Sequence, residues 1–397
     1  MKVYLDYAST TPLDKRVFKF MKKYLFYEFG NPSSLHKLGR EALKALDFSR
    51  ENIKNLIGAD YPNEIIFTSS ATESNNLAIK GLAFFYYFHL KHKPHIVSTQ
   101  IEHPSVIEVL KDLKKLGIAD YSLARVEKTG EVKWEYILEL IKENTILVSV
   151  HYVNSEIGTI QNLKLISEKI KEINKTREPK IIFHTDAAQA PLTEDINVKN
   201  LGVDMMTLSS HKIYGPKGIA CLYKKQDVIL ERIISGSEQE NSLRPGTESI
   251  PLIVGFSKAL EFAVKEREKN RKYLTFIRDY FLKRLKEAKI RFEVNGDIEI
   301  ASPKILNIYF YDRYADDILI YLDQNNIYIS PGMACKARAL EPSYIIEALY
   351  PFSERNKKSI RFSFGKETRK KEIDYLIKKL KKLTADKRGY NTDKHGF

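Results

Sequence analysis

A chain of 397 residues, 43% of them hydrophobic and 29% charged, has the proportions of a globular protein, and its length favours two closely packed domains. The net charge is +14, but most basic residues alternate with acidic ones as on solvated helix faces, so we do not expect direct nucleic-acid binding. No apolar run approaches the roughly 18 residues of a membrane span, and the N-terminal residues lack the apolar core of a signal peptide. We therefore expect a cytoplasmic protein without a membrane segment.

Short apolar runs alternate with helical patterns between about residues 15 and 255. This alternation is typical of an α/β protein in which helices wrap a mostly parallel sheet. In such sheets ligands bind where the carboxyl ends of strands turn into loops, so polar residues at those points are candidate site residues. Strands are predicted at 65–68, 95–98, 145–150, 180–184 and 205–208, with a polar turn at 69–74 and a helix at 75–91.

The C-terminal part begins with a predicted helix at 251–288 and continues as a smaller α+β pattern. Strands are predicted at 304–311, 327–330 and 359–364, and helices at 315–324, 342–349 and 368–383. We therefore predict four units: an arm at 1–15 that joins the small domain, a large domain at 16–255, a small domain at 256–383 and a polar tail at 384–397. The small domain would contain a mobile loop at 330–343.

Lys212 follows a buried-looking strand, in the segment Ser209-Ser210-His211-Lys212. A lysine at this point could form a Schiff base with an aldehyde cofactor. Ser209 and His211 would then be placed to hold a phosphate group. The alternative for a single lysine is a solvated surface side chain.

Asp186 lies at the end of another predicted strand and is followed by Gln189. Pyridoxal phosphate (PLP) needs an acidic partner for its ring nitrogen, because a protonated ring is the better electron sink. Asp186 fits that role, and Gln189 could donate to the phenolic oxygen of the ring. Asp is also a favoured helix N-cap, so a structural role for Asp186 stays open.

Two further segments lie between a predicted strand and a helix. Residues 69–76 are rich in Ser, Thr and Asn, and such a helix start can bind an anion, although ordinary capping gives the same pattern. His103 follows the strand at 95–98; a single histidine can be structural, but this loop position favours a functional role.

The chain has two cysteines, which is too few for a disulfide framework. Cys221 lies in an apolar stretch and is expected to be an inert thiol in a buried strand. Cys335 lies in the predicted mobile loop beside Lys336 and Arg338, which favour the nucleophilic thiolate. The alternative for Cys335 is a chance surface cysteine.

Taken together and in chain order, these segments resemble the class V branch of the fold-type-I PLP-dependent transferases. The closer resemblance is to the cysteine desulfurases of the NifS/IscS type. It extends from residue 3 to about 383 and implies a seven-stranded, mostly parallel sheet in the large domain with a smaller α+β domain after it. The other matching segments are 4–12, 29–34, 151–158, 244–248 and 359–365.

The resemblance implies a role for each candidate residue. Lys212 would bind PLP, and His103 would stack on the ring and transfer protons. Asp186 and Gln189 would tune the ring, while Asn154 and Arg361 would bind the substrate carboxylate, Arg361 by a bidentate pair. The cofactor phosphate would be bound by Ala71, Thr72, Ser209, His211 and, from the other subunit of a homodimer, Thr247.

The activity implied is the conversion of L-cysteine to L-alanine, with the sulfur held on Cys335 as a persulfide. The long stretch between Cys335 and Arg361 resembles the subgroup whose extended loop carries sulfur to an external acceptor. The acceptor would be an iron–sulfur scaffold or a tRNA-thiolation protein. Two alternatives stay open: another PLP reaction on this fold, such as that of a selenocysteine lyase or an aminotransferase, and a non-enzymatic module directed at nucleic acid.

Overall fold

The structure is a computed structural model that describes residues 1–332 and 343–385. The centre of the predicted loop 330–343, which contains Cys335, lies outside the described residues. The same is true of all but the start of the predicted tail 384–397. The strands are β1 (Val3–Tyr4), β2 (Ile65–Thr68), β3 (His95–Thr99), β4 (Asp120–Ala124), β5 (Thr145–Ser149), β6 (Ile182–Asp186), β7 (Met205–Ser209), β8 (Ala220–Lys224), β9 (Phe292–Val294), β10 (Ile305–Phe310), β11 (Ile327–Tyr328) and β12 (Ser359–Ser363).

Helices connect most of these strands. They are α1 (Lys15–Phe26), α2 (Lys37–Ile57), α3 (Ala71–Phe84), α4 (Pro104–Lys115), α5 (Trp134–Leu138), α6 (Leu163–Ile173), α7 (Val198–Leu201), α8 (Ile250–Lys265), α9 (Arg267–Glu287), α10 (Ala315–Gln324), α11 (Tyr344–Leu349), α12 (Arg355–Lys358) and α13 (Lys370–Ala385). Across the described ranges, no helix is both long enough and apolar enough to cross a membrane.

The main sheet has seven strands in the order β2-β8-β7-β6-β5-β3-β4. Strand β8 is antiparallel to both of its neighbours, and the other pairs are parallel. The predicted mostly parallel seven-stranded sheet is therefore confirmed. Because β2, β3, β5, β6 and β7 run in the same direction, the loops that follow them meet at one edge of the sheet.

Both faces of this sheet are covered by helices. One face packs against α1, α2 and α8, with Met21, Leu46 and Phe256 in the shared core. The other face packs against α3 and α4, with Leu82 and Leu110 in a separate core. Burial on both faces explains why the strands read as continuous apolar runs.

Another core lies around a three-stranded antiparallel sheet in the order β12-β10-β9. Phe281 of α9 packs edge-on against Phe362 of β12, with ring centroids 4.9 Å apart. Val3 and Leu5 of the N-terminal arm belong to this core, and β1 pairs in parallel with β11. The arm thus packs with the C-terminal part, while the domain boundaries themselves stay a prediction.

Two predicted helices differ from the observed ones. The helix predicted at 75–91 begins at Ala71, because the Ser70 hydroxyl accepts a hydrogen bond from the backbone of Glu73 and caps it. The helix ends at Phe84, and a π-helical turn follows it. Because residues 71–74 belong to the helix, the prediction of a turn at 69–74 was wrong for those residues. The single helix predicted at 251–288 is two helices, α8 and α9, which meet at the non-helical Glu266.

Candidate active site

A pocket of about 240 Å³ lies at the edge of the main sheet where the parallel strands end. Most of the site residues predicted from the sequence line it: Ala71, Thr72, His103, Asn154, Asp186, Gln189, Ser209, His211, Lys212 and Arg361. Thr247 is exposed and is absent from the described lining of this pocket. Cys335 lies outside the described residues.

Lys212 ends a short 3-10 turn that follows β7. Its Nζ donates hydrogen bonds to the carbonyl oxygens of Ala8 and Ser9, at 2.5 and 2.8 Å. The alternative of a solvated surface lysine is therefore wrong. The N-terminal arm forms part of the pocket wall and aims the amine into it.

Asp186 is the last residue of β6 and is almost completely buried. Its Oδ1 accepts a hydrogen bond from the Ala188 backbone N–H at 2.9 Å, and its Oδ2 accepts one from Asn75 Nδ2 at 2.8 Å. No described helix begins at Asp186, so the N-cap alternative is wrong. The two donors fix the orientation of the carboxylate in the pocket.

His103 both caps a helix and lines the pocket. Its Nδ1 accepts from the Ser105 backbone N–H at 3.1 Å and lies 2.8 Å from the Ser105 hydroxyl. That hydroxyl also accepts a hydrogen bond from Asn75 at 2.8 Å, so a polar chain joins Asp186 to His103. Burial lowers the pKa of His103, Lys212 adds to this effect, and the charge of Asp186 opposes it. A neutral imidazole is therefore favoured.

The first turn of α3 faces the pocket opposite the loop that follows β7. Ala71 and Thr72 present the helix start, which suits an anion because its backbone N–H groups lack helical partners. The Ser209 hydroxyl is buried and has no hydrogen-bond partner in the described part of the chain. Burial and the neighbouring Lys212 lower the pKa of His211 to about 4, and its Nδ1 lies 3.1 Å from the Thr10 hydroxyl.

Arg361 projects from β12 into the other side of the pocket. Its Nη1 donates to the carbonyl oxygen of Ser155 at 2.9 Å. Its Nη2 donates to Asp6 Oδ1 and the Ser9 hydroxyl, at 2.8 and 2.7 Å. Its Nε is buried and has no partner among the described residues, so a donor remains for an anionic ligand. A bidentate pair with substrate stays a prediction.

Asn154 shapes the adjoining turn. Its Oδ1 accepts hydrogen bonds from the backbone N–H groups of Glu156 and Ile157 at 2.9 and 3.0 Å. Its Nδ2 donates to the carbonyl oxygen of Ile101 at 3.0 Å. One amide hydrogen is left for a ligand. The Asn154 side chain therefore stabilises the turn in the pocket wall and also lines the pocket.

Sequence reasoning missed the role of Lys304, which is completely buried. Its Nζ donates to Gln189 Oε1 at 3.0 Å and to the carbonyl oxygen of Lys212 at 3.2 Å. Burial lowers its pKa well below the usual range, and the charges of Lys212 and Arg361 add to the effect. Its position directly before the apolar strand β10 was the available signal. Asp6, Ala8, Ser9 and Asn75 were also not singled out.

Comparison with known proteins places this geometry in a family. The sequence profile described as Aminotransferase class-V matches residues 3–376. The chain belongs to the class V aminotransferase family. Members of this family use PLP. The resemblance and the α/β fold class predicted from the sequence are both confirmed.

Individual relatives cover nearly the whole chain. A cysteine desulfurase IscS of Dictyoglomus turgidum is 39% identical over 382 residues, which are 96% of this chain and 94% of that protein. The solved structure of a NifS-like protein has a TM-score of 0.88 and 31% identity, covering 96% of this chain and 99% of its own. A structure of SspA in complex with cysteine has a TM-score of 0.78 and 34% identity, covering 92% and 99%.

Proposed function

We propose that this chain is a PLP-dependent cysteine desulfurase that converts L-cysteine to L-alanine and places the sulfur on Cys335 as a persulfide. One observation carries the proposal: Lys212, Asp186 and Arg361, which lie far apart in the sequence, line a single pocket. The relatives named cysteine desulfurase and the neighbour in complex with cysteine support the choice of substrate.

The donor set of the pocket fits PLP. Lys212 would hold the aldehyde carbon, Asp186 would face the ring nitrogen, and the first turn of α3 with the Ser209 hydroxyl would hold the phosphate. The unpartnered Ser209 hydroxyl is the observation that speaks for an anion at this end. When bound, PLP supplies an electron sink for the bonds at the substrate Cα and Cβ.

The residues of the chain would divide the remaining work. Arg361, held by Asp6, would orient the substrate carboxylate. The amine of Lys212 would take the Cα proton, and the neutral imidazole of His103 can accept or donate a proton beside it.

The sulfur step would use Cys335, for which we take the loop position from the sequence. Its thiolate would attack the substrate sulfur, so that an S–S bond forms while the Cβ–S bond breaks. The electron pair of the broken bond stays with the carbon fragment. This fragment takes two protons, one at Cβ and one at Cα, from Lys212 and His103, and leaves as alanine. The persulfide sulfur would then pass to a thiol of an acceptor protein, such as an iron–sulfur scaffold or a tRNA-thiolation protein.

A homodimer is part of the proposal. The end of α1 and the segment between α1 and α2 expose Phe26, Tyr27, Phe29 and Leu35. Large exposed apolar side chains grouped in this way are typical of protein interfaces. An exposed Thr247 is free to reach the pocket of a second copy. The cytoplasmic location stays a prediction from the sequence.

An absorbance spectrum followed by trapping of Cys335 tests the function. We expect a visible band of bound PLP, alanine release on addition of L-cysteine, and a persulfide on Cys335 by mass spectrometry of alkylated peptides. Lys212→Ala should remove the covalent cofactor, and Cys335→Ser should abolish the persulfide. Cys221→Ser is the matched control. The Cys221 thiol is buried in β8, so its replacement should leave the bound cofactor and the persulfide on Cys335 unchanged.

Other outcomes separate the alternatives. A PLP band with alanine transamination but no persulfide would favour another PLP reaction on this fold. A protein that stays colourless after PLP is added, and that binds RNA with strong salt dependence, would favour the nucleic-acid module.

A further inference from the structure

Glu73 places a negative charge in the first turn of α3, the helix start to which the proposed function assigns the cofactor phosphate. Its carboxylate accepts hydrogen bonds from the backbone N–H of Ser69, at 2.6 Å, and from the Ser69 hydroxyl. Burial opposes ionisation of Glu73, but the hydrogen bonds from Ser69 and from Arg244 outweigh burial and lower its pKa. The carboxylate is therefore charged at neutral pH.

The other pocket-lining groups at this end offer hydrogen-bond donors but no full positive charge in the described part of the chain. The Ser209 hydroxyl is neutral, and a pKa lowered to about 4 leaves the His211 imidazole neutral at pH 7. The cations of the described lining, Lys212 and Arg361, serve the cofactor aldehyde and the substrate carboxylate in the proposed function. A phosphate group carries about two negative charges at pH 7. An uncompensated Glu73 would therefore repel it from the helix start.

Arg244 supplies a compensating charge from outside the pocket lining. Its Nε donates to Oε1 of Glu73 at 3.0 Å, while Oε2 of Glu73 is held by Ser69. The Arg244 side chain is 27% exposed and that of Glu73 is 12% exposed. Water screens such a pair only in part, so the first turn of α3 should be sensitive to loss of the guanidinium.

The segment that carries Arg244 is anchored to β2. Glu240 pairs with Arg50 through both carboxylate oxygens, at 2.6 and 2.8 Å, and accepts a hydrogen bond from the backbone N–H of Phe67 at 2.8 Å. Glu240 and the two residues after it have φ angles of 49°, 56° and 62°. Such a run of left-handed residues other than glycine is strained, and it persists only where contacts fix it. These contacts fix the turn from which Arg244 reaches α3.

We propose that Arg244 is a positioning residue for the cofactor phosphate: it holds and neutralises the carboxylate of Glu73, so that the first turn of α3 can bind a dianion. The proposal deepens the proposed function and rests on it. Arg244 acts through Glu73 and without contact to the phosphate. Its effect should therefore depend on the phosphate of the ligand and on the charge of Glu73, whereas an ion pair that only stabilises the fold would affect every ligand of the pocket alike.

Titration of the PLP-free full-length chain with PLP and with pyridoxal, which lacks the phosphate, tests the proposal. For Arg244→Gln we expect the Kd for PLP to rise about fivefold or more, because Glu73 is left unpaired. The Kd for pyridoxal should change less than about twofold, since the rest of the pocket remains. The visible band of the bound aldehyde measures both constants. Arg244→Lys keeps the positive charge and should bind PLP more tightly than Arg244→Gln.

A double variant separates the charge of Glu73 from other effects of Arg244. Glu73→Gln keeps an acceptor for Ser69 but removes the negative charge. When it is combined with Arg244→Gln, the Kd for PLP should return to within about twofold of the original chain. Glu73→Gln alone leaves the guanidinium unpaired and should lower the Kd for PLP about threefold. A double variant that binds PLP as weakly as Arg244→Gln would overturn the proposal.

Arg271→Gln is the matched control. Arg271 is also a partly exposed arginine and pairs with Glu194 at 2.6 Å, but neither residue belongs to the described lining of the pocket or to α3. We expect both dissociation constants of this variant to equal those of the original chain.

Three further results would decide against the proposal or its basis. Equal weakening of PLP and pyridoxal binding in Arg244→Gln, or no weakening of either, would overturn the role of Arg244. If Arg244→Gln does not fold, Glu73→Gln carries the test, and an unchanged ratio of its two dissociation constants would contradict the proposal. An original chain that binds no PLP would instead refute the proposed function.

Discussion

Lys304 donates hydrogen bonds to the side chain of Gln189 and to the backbone of Lys212, at 3.0 and 3.2 Å. Gln189 in turn donates to the carbonyl oxygen of Ala8 at 2.8 Å, and Lys212 donates to the same oxygen. The buried amine of Lys304, next to the start of β10, thus contacts both Gln189 and Lys212. Through the hydrogen bonds of these two residues to Ala8, the N-terminal arm belongs to the same network. The lowered pKa of Lys304 favours the neutral amine, which limits the cost of burying it.

Lys304→Met should lower kcat about tenfold with little change in the KM for L-cysteine. The apolar side chain fills the space but leaves Gln189 Oε1 unpaired, so the amide can turn away from the ring. Steady-state alanine production and the visible spectrum of bound PLP measure the effect. Lys304→Gln keeps a donor and should recover part of the lost kcat. If the kcat of Lys304→Met equalled that of the original chain, Lys304 would have only a packing role.

Asp6→Asn should raise the KM for L-cysteine about tenfold, equivalent to about 1.4 kcal/mol, while kcat changes less. The carboxylate holds Nη2 of Arg361, and its loss frees the guanidinium to leave the carboxylate-binding position. Initial rates over a range of L-cysteine concentrations measure it. Asp14→Asn is the control, since Asp14 also pairs with a basic residue of the C-terminal part, Lys366, but outside the pocket lining. A lower kcat at unchanged KM would contradict the proposed role.

Glu156→Gln should raise the melting temperature at pH 8 more than at pH 5. The folded-state pKa of Glu156 lies above its ordinary value, so the folded chain binds the extra proton between about pH 4.5 and 7. That contribution to stability is present below pH 4.5 and is lost as the pH rises through about 7, where the buried group must ionise. Thermal unfolding of both proteins at the two pH values measures the difference. A variant that is less stable than the original chain at pH 8 would contradict this sign.

Cys221 should stay unmodified by iodoacetamide in the folded protein at pH 8. The thiol is completely buried in β8, and burial raises its pKa, with Glu240 adding to the effect. Peptide mass spectrometry before and after unfolding measures the labelling. We expect Cys335, which lies beside Lys336 and Arg338, to be labelled in the folded state. Labelling of Cys221 at the same rate would show that β8 opens readily.

The sequence predicted the strand ends well because each is marked by local chemistry. Asp186 and Lys212 stand where an apolar run gives way to polar residues, and that change is visible in one sequence. The start of α3 at Ala71 was placed four residues late, since a Ser-rich helix cap and a polar turn have the same composition.

The contacts that complete the site could not be predicted in the same way. Asp6 and Arg361, which form an ion pair, are 355 residues apart in the sequence, and Lys304 and Gln189, which share a hydrogen bond, are 115 residues apart. Nothing local in the sequence distinguishes such a lysine from the other basic residues except its apolar surroundings. Glu156 was part of a matching segment, but its burial against Gly332 depends on packing alone.

The N-terminal arm has a consequence for the order in which the protein can be made. A ribosome adds Asp6 and Ser9 to the chain 355 and 352 residues before it adds their partner Arg361. The main sheet can form while translation continues, but the pocket lacks a wall until β12 has emerged. A nascent chain therefore has no complete place for substrate until β12 has been synthesised.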